Sequence, residues 1–486
     1  MDVDARIGRI LMVAPPDDWL QGSRDWFDDF QPAGIILFRR HLPGDLEAAR
    51  AAVARLRAWG GDRPILIAAD EEGGFVTQTS HLFPVPPSAR SLAWAASPAE
   101  VRGVYARYGA RLRDLGIDWD FSPVCDVNDN PRNPVIGVRA FGDTADLVRD
   151  YAGAARAGLE DAGVLSCLKH FPGHGDTDVD SHLALPVLAH GRDRLDRVEL
   201  VPFRGLLGVA PAVMVAHLAC PELGDGDLPA TLSARVTTHL LRDELGFRGV
   251  AITDAMEMEG VAGVFGRGEA AVRALLAGCD LLLYCFALEG VEEARAGIRA
   301  ALDSGRLPMA RLMAASERVE KLANSRPTPA ASRTAKAEDD TRVYREICRR
   351  ALRLENAPGW RMLAKRTAGK RLWLLGSNDE VLRQLSQHLA VHGVQSQCTA
   401  PDAIAEWPAD SPTLVVLAER RPLAAEAVAA LQQIAARSPG AGLVNVLTPE
   451  VDAPLRDLFP TRLQTADKSD LMLDVVAEAC FGREHA

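Results

Sequence analysis

Residues 165–186, LSCLKHFPGHGDTDVDSHLALP, concentrate reactive side chains in one stretch. The apolar run 165–168 fits a buried strand, which puts Lys169 and His170 at its carboxyl end, where parallel α/β architectures hold their chemistry. Pro172, Gly173 and Gly175 then break regular structure, and His174, Asp176, Asp178, Asp180 and His182 crowd five ionisable groups into nine positions. Such a loop can be a solvated surface segment with no chemistry. It can offer imidazole and carboxylate to zinc or manganese, although HExxH and paired CxxC are absent and Lys169 would repel a cation. It can also use Asp180 to orient His182 and raise its basicity, giving a proton shuttle near neutral pH.

The elements that must position these groups recur along the chain. Short apolar runs fall at 10–13, 34–38, 65–69, 117–124, 165–168, 213–217, 250–253 and 281–286, with helical periodicity between them at 46–59, 98–115, 145–162 and 268–277. Strand and helix alternating eight times predict a TIM-like (β/α)8 barrel, whose strands are buried on both faces. An open doubly wound sheet has the same periodicity. The barrel is favoured because Asp70, Asp126, Lys169, His170, His217 and Asp254 each stand at or just past the end of a run, as groups converging on one mouth would.

The barrel domain is expected to occupy residues 1–324. The polar, Pro-interrupted segment 325–342 reads as a linker. Residues 343–486 then alternate again, with a helix at 344–354, strands at 372–376, 414–418 and 443–447, and helices at 381–392 and 424–436. That predicts a smaller α/β sandwich of the αβα type. The GSND turn at 376–379 reads as helix capping, since GxGxxG is absent.

Composition narrows the partners. A net charge of -11 and a pI of about 5.6 oppose binding to nucleic acid or an anionic membrane. Eight cysteines without CxxC pairs suit reduced thiols in a cytosol. The N-terminus carries acid where an export signal needs base, and no run approaches the ~20 apolar residues that span a bilayer. A cytoplasmic location is therefore expected. No feature of the sequence speaks to oligomeric state.

KHFPGHG followed by DSH resembles the signature of bacterial β-N-acetylglucosaminidases of glycoside hydrolase family 3. DEEGG at 70–74, RAFG at 139–142 and ITDAMEM at 252–258 extend the resemblance in the family's order, over most of residues 1–325. The resemblance implies retaining removal of terminal β-linked N-acetylglucosamine from a small glycan, with neither metal nor organic cofactor. With the cytoplasmic location expected above, this suggests a muropeptide-derived disaccharide as substrate in cell-wall recycling. Asp254 is then the nucleophile, although aspartate at a βα junction also suits a helix N-cap. The resemblance makes His182 the acid/base and Asp180 its partner. An imidazole with a pKa of about 6.5 suits that role without special tuning. Asp70, Arg139, Lys169 and His170 match groups that hold the sugar, and Met214 and His217 match a strand end beside it. The family's DQEGGRVQR is here DEEGGFVTQ, so Phe75 and Gln78 stand where the family has arginines, and Gln78 brings a hydrogen bond without charge. Phosphorolysis by the same residues, a family 3 β-glucosidase and a non-catalytic sugar-binding protein are the alternatives.

Overall fold

The computed structural model describes residues 3–22, 24–179, 185–223, 225–286, 288–325, 337–400, 411–420, 422–448, 451 and 454–482. Eight parallel strands form the first sheet: β1 Leu11–Val13, β2 Gly34–Ile36, β3 Leu66–Ala69, β4 Trp119–Asp120, β5 Leu168–Phe171, β6 Ala212–Val215, β7 Val250–Ala255 and β8 Leu281–Tyr284. Their order is β4-β3-β2-β1-β8-β7-β6-β5, so each strand lies beside its neighbour in sequence and β1 pairs with β8. The outermost strands β4 and β5 are also tied to each other. The Asp120 N–H donates to Leu165 O (2.9 Å), the Leu165 N–H to Asp118 O (2.8 Å) and the Cys167 N–H to Ser122 O (2.8 Å).

The strands are largely apolar because both of their faces are covered, the exceptions being Asp120 in β4, Lys169 and His170 in β5, and Thr253 and Asp254 in β7. Met12, Ile36, Leu66, Ala68, Met214, Ile252, Leu281 and Leu283 pack into one cluster on the inner face. Their alternating neighbours Leu11, Val13, Ile35, Ile67, Val213, Val215, Ala251 and Leu282 pack outward against the helices. Those helices carry their own start and stop signals. Pro98–Leu115 opens on a Ser97 and Glu100 capping box and closes on Gly116 in the left-handed region (φ 100°). Leu46–Trp59 is capped by Asp45, which accepts from the Ala48 N–H. Among the described residues no helix is long and apolar enough to cross a membrane.

A second, mixed sheet of six strands has the order β11-β10-β12-β13-β14-β9: β9 Arg353–Glu355, β10 Leu372–Leu375, β11 Ser396–Thr399, β12 Thr413–Leu417, β13 Gly442–Asn445 and β14 Thr461–Gln464. Only β9 runs antiparallel to its neighbour. Alternating residues of β10, β12 and β13 feed two apolar clusters, one on each face. Asn378 caps the helix Asp379–Val391 by accepting from the Val381 N–H, which is the role expected for the GSND turn.

The segment 325–342 is not a linker throughout. A helix, Ala337–Ala351, begins inside it, and Glu338, Asp339 and Asp340 form its first turn. Acid at a helix N-terminus complements the dipole, so charges that look like an exposed tether belong to a helix start. Asp340 is buried and pairs with Arg107 (3.4 Å) and Arg111 (2.8 Å) of the helix Pro98–Leu115. The second sheet's surroundings also reach the loop after β3. The Phe75 ring faces the Arg420 guanidinium (5.0 Å) and the Lys468 ammonium (5.5 Å). Nearby, the Ser88 N–H donates to Asp467 Oδ2 (2.9 Å), and Arg353 lies 3.5 Å over the Trp94 ring.

Candidate active site

The ends of β3, β5 and β7 bring the reactive groups together. Lys169 is almost fully buried, a position a lysine holds only with charge partners. Its Nζ lies 2.7 Å from Asp70 Oδ1 and 2.6 Å from Glu72 Oε1. Arg139 grips the same Glu72 with two parallel bonds, Nε to Oε2 and Nη2 to Oε1, each 2.8 Å. Burial alone would raise the Glu72 carboxyl, but Arg139 and Lys169 outweigh it and hold it far below the usual carboxylate range. Burial likewise opposes the Lys169 ammonium, and Asp70 and Glu72 reverse that and raise its pKa. The cluster therefore stays ionised through the neutral range.

His170 is aimed by Asp126. Its ring Nδ1 lies 2.7 Å from Asp126 Oδ2, and its backbone N–H donates to Oδ1 (3.1 Å). An acceptor-only carboxylate makes Nδ1 the protonated nitrogen, leaving Nε2, 3.4 Å from Arg139 Nη2, as the acceptor. His217 Nε2 donates to the Ala255 carbonyl (2.9 Å), and its Nδ1 lies 2.8 Å from the Thr231 hydroxyl.

Asp254 lies within β7 and is half-buried, as is Asp70, so both can be reached from the mouth. Its Oδ1 accepts from the Ala255 N–H (2.8 Å). Burial pushes its pKa up, yet His170, His217, the Ala255 N–H and Lys169 together bring it below the ordinary value. It is a carboxylate at neutral pH, the state a nucleophile needs. The N-cap alternative for Asp254 does not hold, because the following helix starts at Glu259 behind Met258.

Several expectations are changed by this geometry. Lys169 and His170 lie inside β5, which starts at Leu168, while the apolar run before it supplies the ties to β4. The ion partner of Arg139 is Glu72. Glu72 went unread because three acids in a row give no sign of which one faces inward; a count of the buried cations needing a partner would have pointed to it. Met214 packs into the inner apolar cluster. Gln78 stands apart from the ion cluster and ties two loops, its Oε1 accepting from the Arg39 N–H (3.1 Å) and its N–H donating to Glu71 (3.0 Å).

The turn that Pro172, Gly173 and Gly175 open is anchored. Asn133 Nδ2 donates to the carbonyls of His174 (2.7 Å) and Gly175 (3.0 Å), and the His174 N–H donates to Asp126 (2.7 Å). A side chain at Gly175 would collide with Val127 O, which explains glycine there. Burial pushes the His174 imidazole down to about 4. Asp180 and His182 lie outside the described residues. Among the described residues no three or more His, Cys, Asp or Glu side chains are grouped as metal ligands would be.

Beneath the cluster lies a second carboxyl layer. Glu71 is fully buried and accepts from the Thr77 hydroxyl (2.8 Å), the Gln78 N–H and the Tyr108 hydroxyl. Burial outweighs these donors and raises Glu71 to about 7. The folded protein thus holds a proton that a free glutamate releases near 4.5, so this contribution to stability is complete below 4.5 and is lost as pH rises through about 7. Glu71→Gln, neutral at every pH, is expected to gain roughly 3 kcal/mol on wild type between pH 5 and pH 8. Denaturant melts at the two pH values check this; parallel pH profiles for the two proteins would sink it.

Comparison with known proteins gives a consistent picture. Residues 2–322 match the model described as the glycosyl hydrolase family 3 N terminal domain. Beta-hexosaminidase A of Pseudoalteromonas piscicida is 35% identical over 324 residues, covering 62% of this chain, and this chain spans about half (54%) of its length. Beta-hexosaminidase LpqI of Mycobacterium tuberculosis is 40% identical over 338 residues, covering 65% of this chain and 84% of LpqI. The solved glycoside hydrolase family 3 beta-N-acetylglucosaminidase from Paenibacillus sp. str. FPU-7 superposes with a TM-score of 0.84 at 29% identity, covering 99% of this chain and 97% of that one.

Proposed function

This chain belongs to glycosyl hydrolase family 3, and from that premise we propose that it is a retaining exo-β-N-acetylglucosaminidase. The observation that carries the reading is the half-buried Asp254 carboxylate, held below its ordinary pKa at a mouth it shares with Asp70, Lys169, Glu72, Arg139 and His170. The carboxylate attacks the anomeric carbon and forms a glycosyl ester, while an acid protonates the departing oxygen; that group then takes a proton from water as the ester is hydrolysed. We assign the acid/base role to His182 and its orientation to Asp180, on the DSH motif. Asp70, Lys169 and Arg139 offer charged hydrogen bonds to ring hydroxyls, each worth roughly 1.5 to 3 kcal/mol, and His170 stands beside them as a further hydrogen-bonding group. The names of the relatives support N-acetylglucosamine as the sugar removed.

The first sheet is read as a closed (β/α)8 barrel, which the β4 to β5 hydrogen bonds support. We divide the chain into a catalytic unit ending near Asn324 and an αβα unit starting near Ala337. Eight unpaired cysteines support a reducing compartment, and with it a cytoplasmic, muropeptide-derived disaccharide as substrate. Incubating the protein with a β-linked N-acetylglucosaminide in phosphate buffer is expected to release free N-acetylglucosamine, first as the β-anomer. Sugar 1-phosphate as the product would overturn hydrolysis in favour of phosphorolysis, and a first-formed α-anomer would overturn retention.

A further inference from the structure

Phe286 is the only large aromatic side chain among the strongly exposed apolar residues described, with 64% of its surface open. It stands two residues past the end of β8, the strand beside β7 and its Asp254. The charges of Glu257, Asp70 and Asp254 all act on its chain neighbour, Cys285, which places this turn at the same mouth as the nucleophile.

The backbone beneath the ring is held from both sides. The Glu257 carboxylate accepts from the Cys285 N–H (2.9 Å) and from the Phe286 N–H (3.0 Å). Arg40 donates to the Cys285 carbonyl (2.9 Å) while bound to Asp17 (2.7 Å) and lying 4.6 Å over the Phe38 ring. Side chains following β1, β2 and β7 therefore fix a turn whose own side chain is left in water. A ring kept exposed on a clamped backbone has paid its ordering entropy in advance and presents a flat apolar face to whatever leaves the pocket.

We propose that Phe286 is a specificity-determining residue that stacks against the pyranose ring of the leaving sugar. The proposal rests on the glycosidase reading above. A terminal sugar set for attack by Asp254 sends its still-attached leaving group outward through the mouth, and the apolar C–H face of a second pyranose matches an aromatic face in size and polarity. The ring then favours disaccharides over glycosides with a small leaving group.

The test measures kcat/KM for wild type, Phe286→Ala and Phe286→Trp on N-acetylglucosaminides and glucosides, each as the methyl glycoside and as a disaccharide. Phe286→Ala is expected to lose about tenfold on the disaccharide and to stay within about twofold of wild type on the methyl glycoside. Phe286→Trp should keep the wild-type ratio of disaccharide to methyl glycoside. An unchanged ratio in Phe286→Ala, or the same loss on both substrates, overturns the assignment. The ratio is read on whichever glycone is turned over, so a mistaken glycone shows in the absolute rates and a mistaken role for Phe286 shows in the ratio.

Discussion

Asp254→Ala is expected to lower kcat by on the order of 10^4-fold or more, the largest loss of any single substitution in this protein. The other inward carboxylates cannot take over. Asp70 is bound to Lys169, and Glu72 is locked between Lys169 and Arg139. Both are committed to holding these buried cations, whereas Asp254 has no ion pair of its own among the described residues. Since Asp254 is half-buried and, among the described residues, its one side-chain hydrogen bond is from the adjacent Ala255 N–H, its removal should leave the fold intact, which thermal melting would verify. Added azide should enter the vacated face and restore part of the rate, yielding the α-glycosyl azide. A variant within tenfold of wild type, or azide rescue giving only the β-azide, would remove Asp254 from the nucleophile role.

The second large effect concerns His182. His182→Ala is expected to slow glycosylation by roughly 10^3-fold on glycosides with poor leaving groups, which need the proton as the bond breaks. Activated phenols leave as stable anions and should lose far less in that step. Rapid-quench measurement of the first step for both substrate types separates it from hydrolysis of the ester. The same factor on both would exclude His182 as the acid and leave Asp180 without its assigned role.

The strands of the first sheet were legible because a continuous apolar run lies on or beside each of them; β5 was read too early because its own Lys169 and His170 follow the run 165–168. Where a strand is polar the signal vanishes. Ser396–Thr399 is a half-buried edge strand and Arg353–Glu355 is exposed throughout, so neither carries an apolar run. Thr461–Gln464 mixes polar with apolar residues, and the buried Arg462 is accommodated there by pairing with Glu355. The candidate site divides along similar lines. Residue types and order pointed to Asp70, Lys169, His170 and Asp254, whereas Glu72 is defined by partners from two other segments, which pattern along the chain does not encode. The 172–177 turn misled for a related reason. Gly175 there marks tight packing against Val127 and Gly173 against Glu199, close approaches that only glycine permits, and the same residues in an isolated sequence read as a break in structure.

The contact of Phe75 with Arg420 and Lys468 makes that position epistatic. Restoring the family's arginine at 75 would set a third cation beside two others and discard the ring that both of them face. Arg420 and Lys468 lie beyond residues 2–322, the part of the chain that matches the family 3 N terminal domain, so the constraint on position 75 comes from outside that domain. The residue tolerated next to the DEEG carboxylates is thus coupled to the surroundings of the second sheet, and the effect of a change at one depends on what stands at the other.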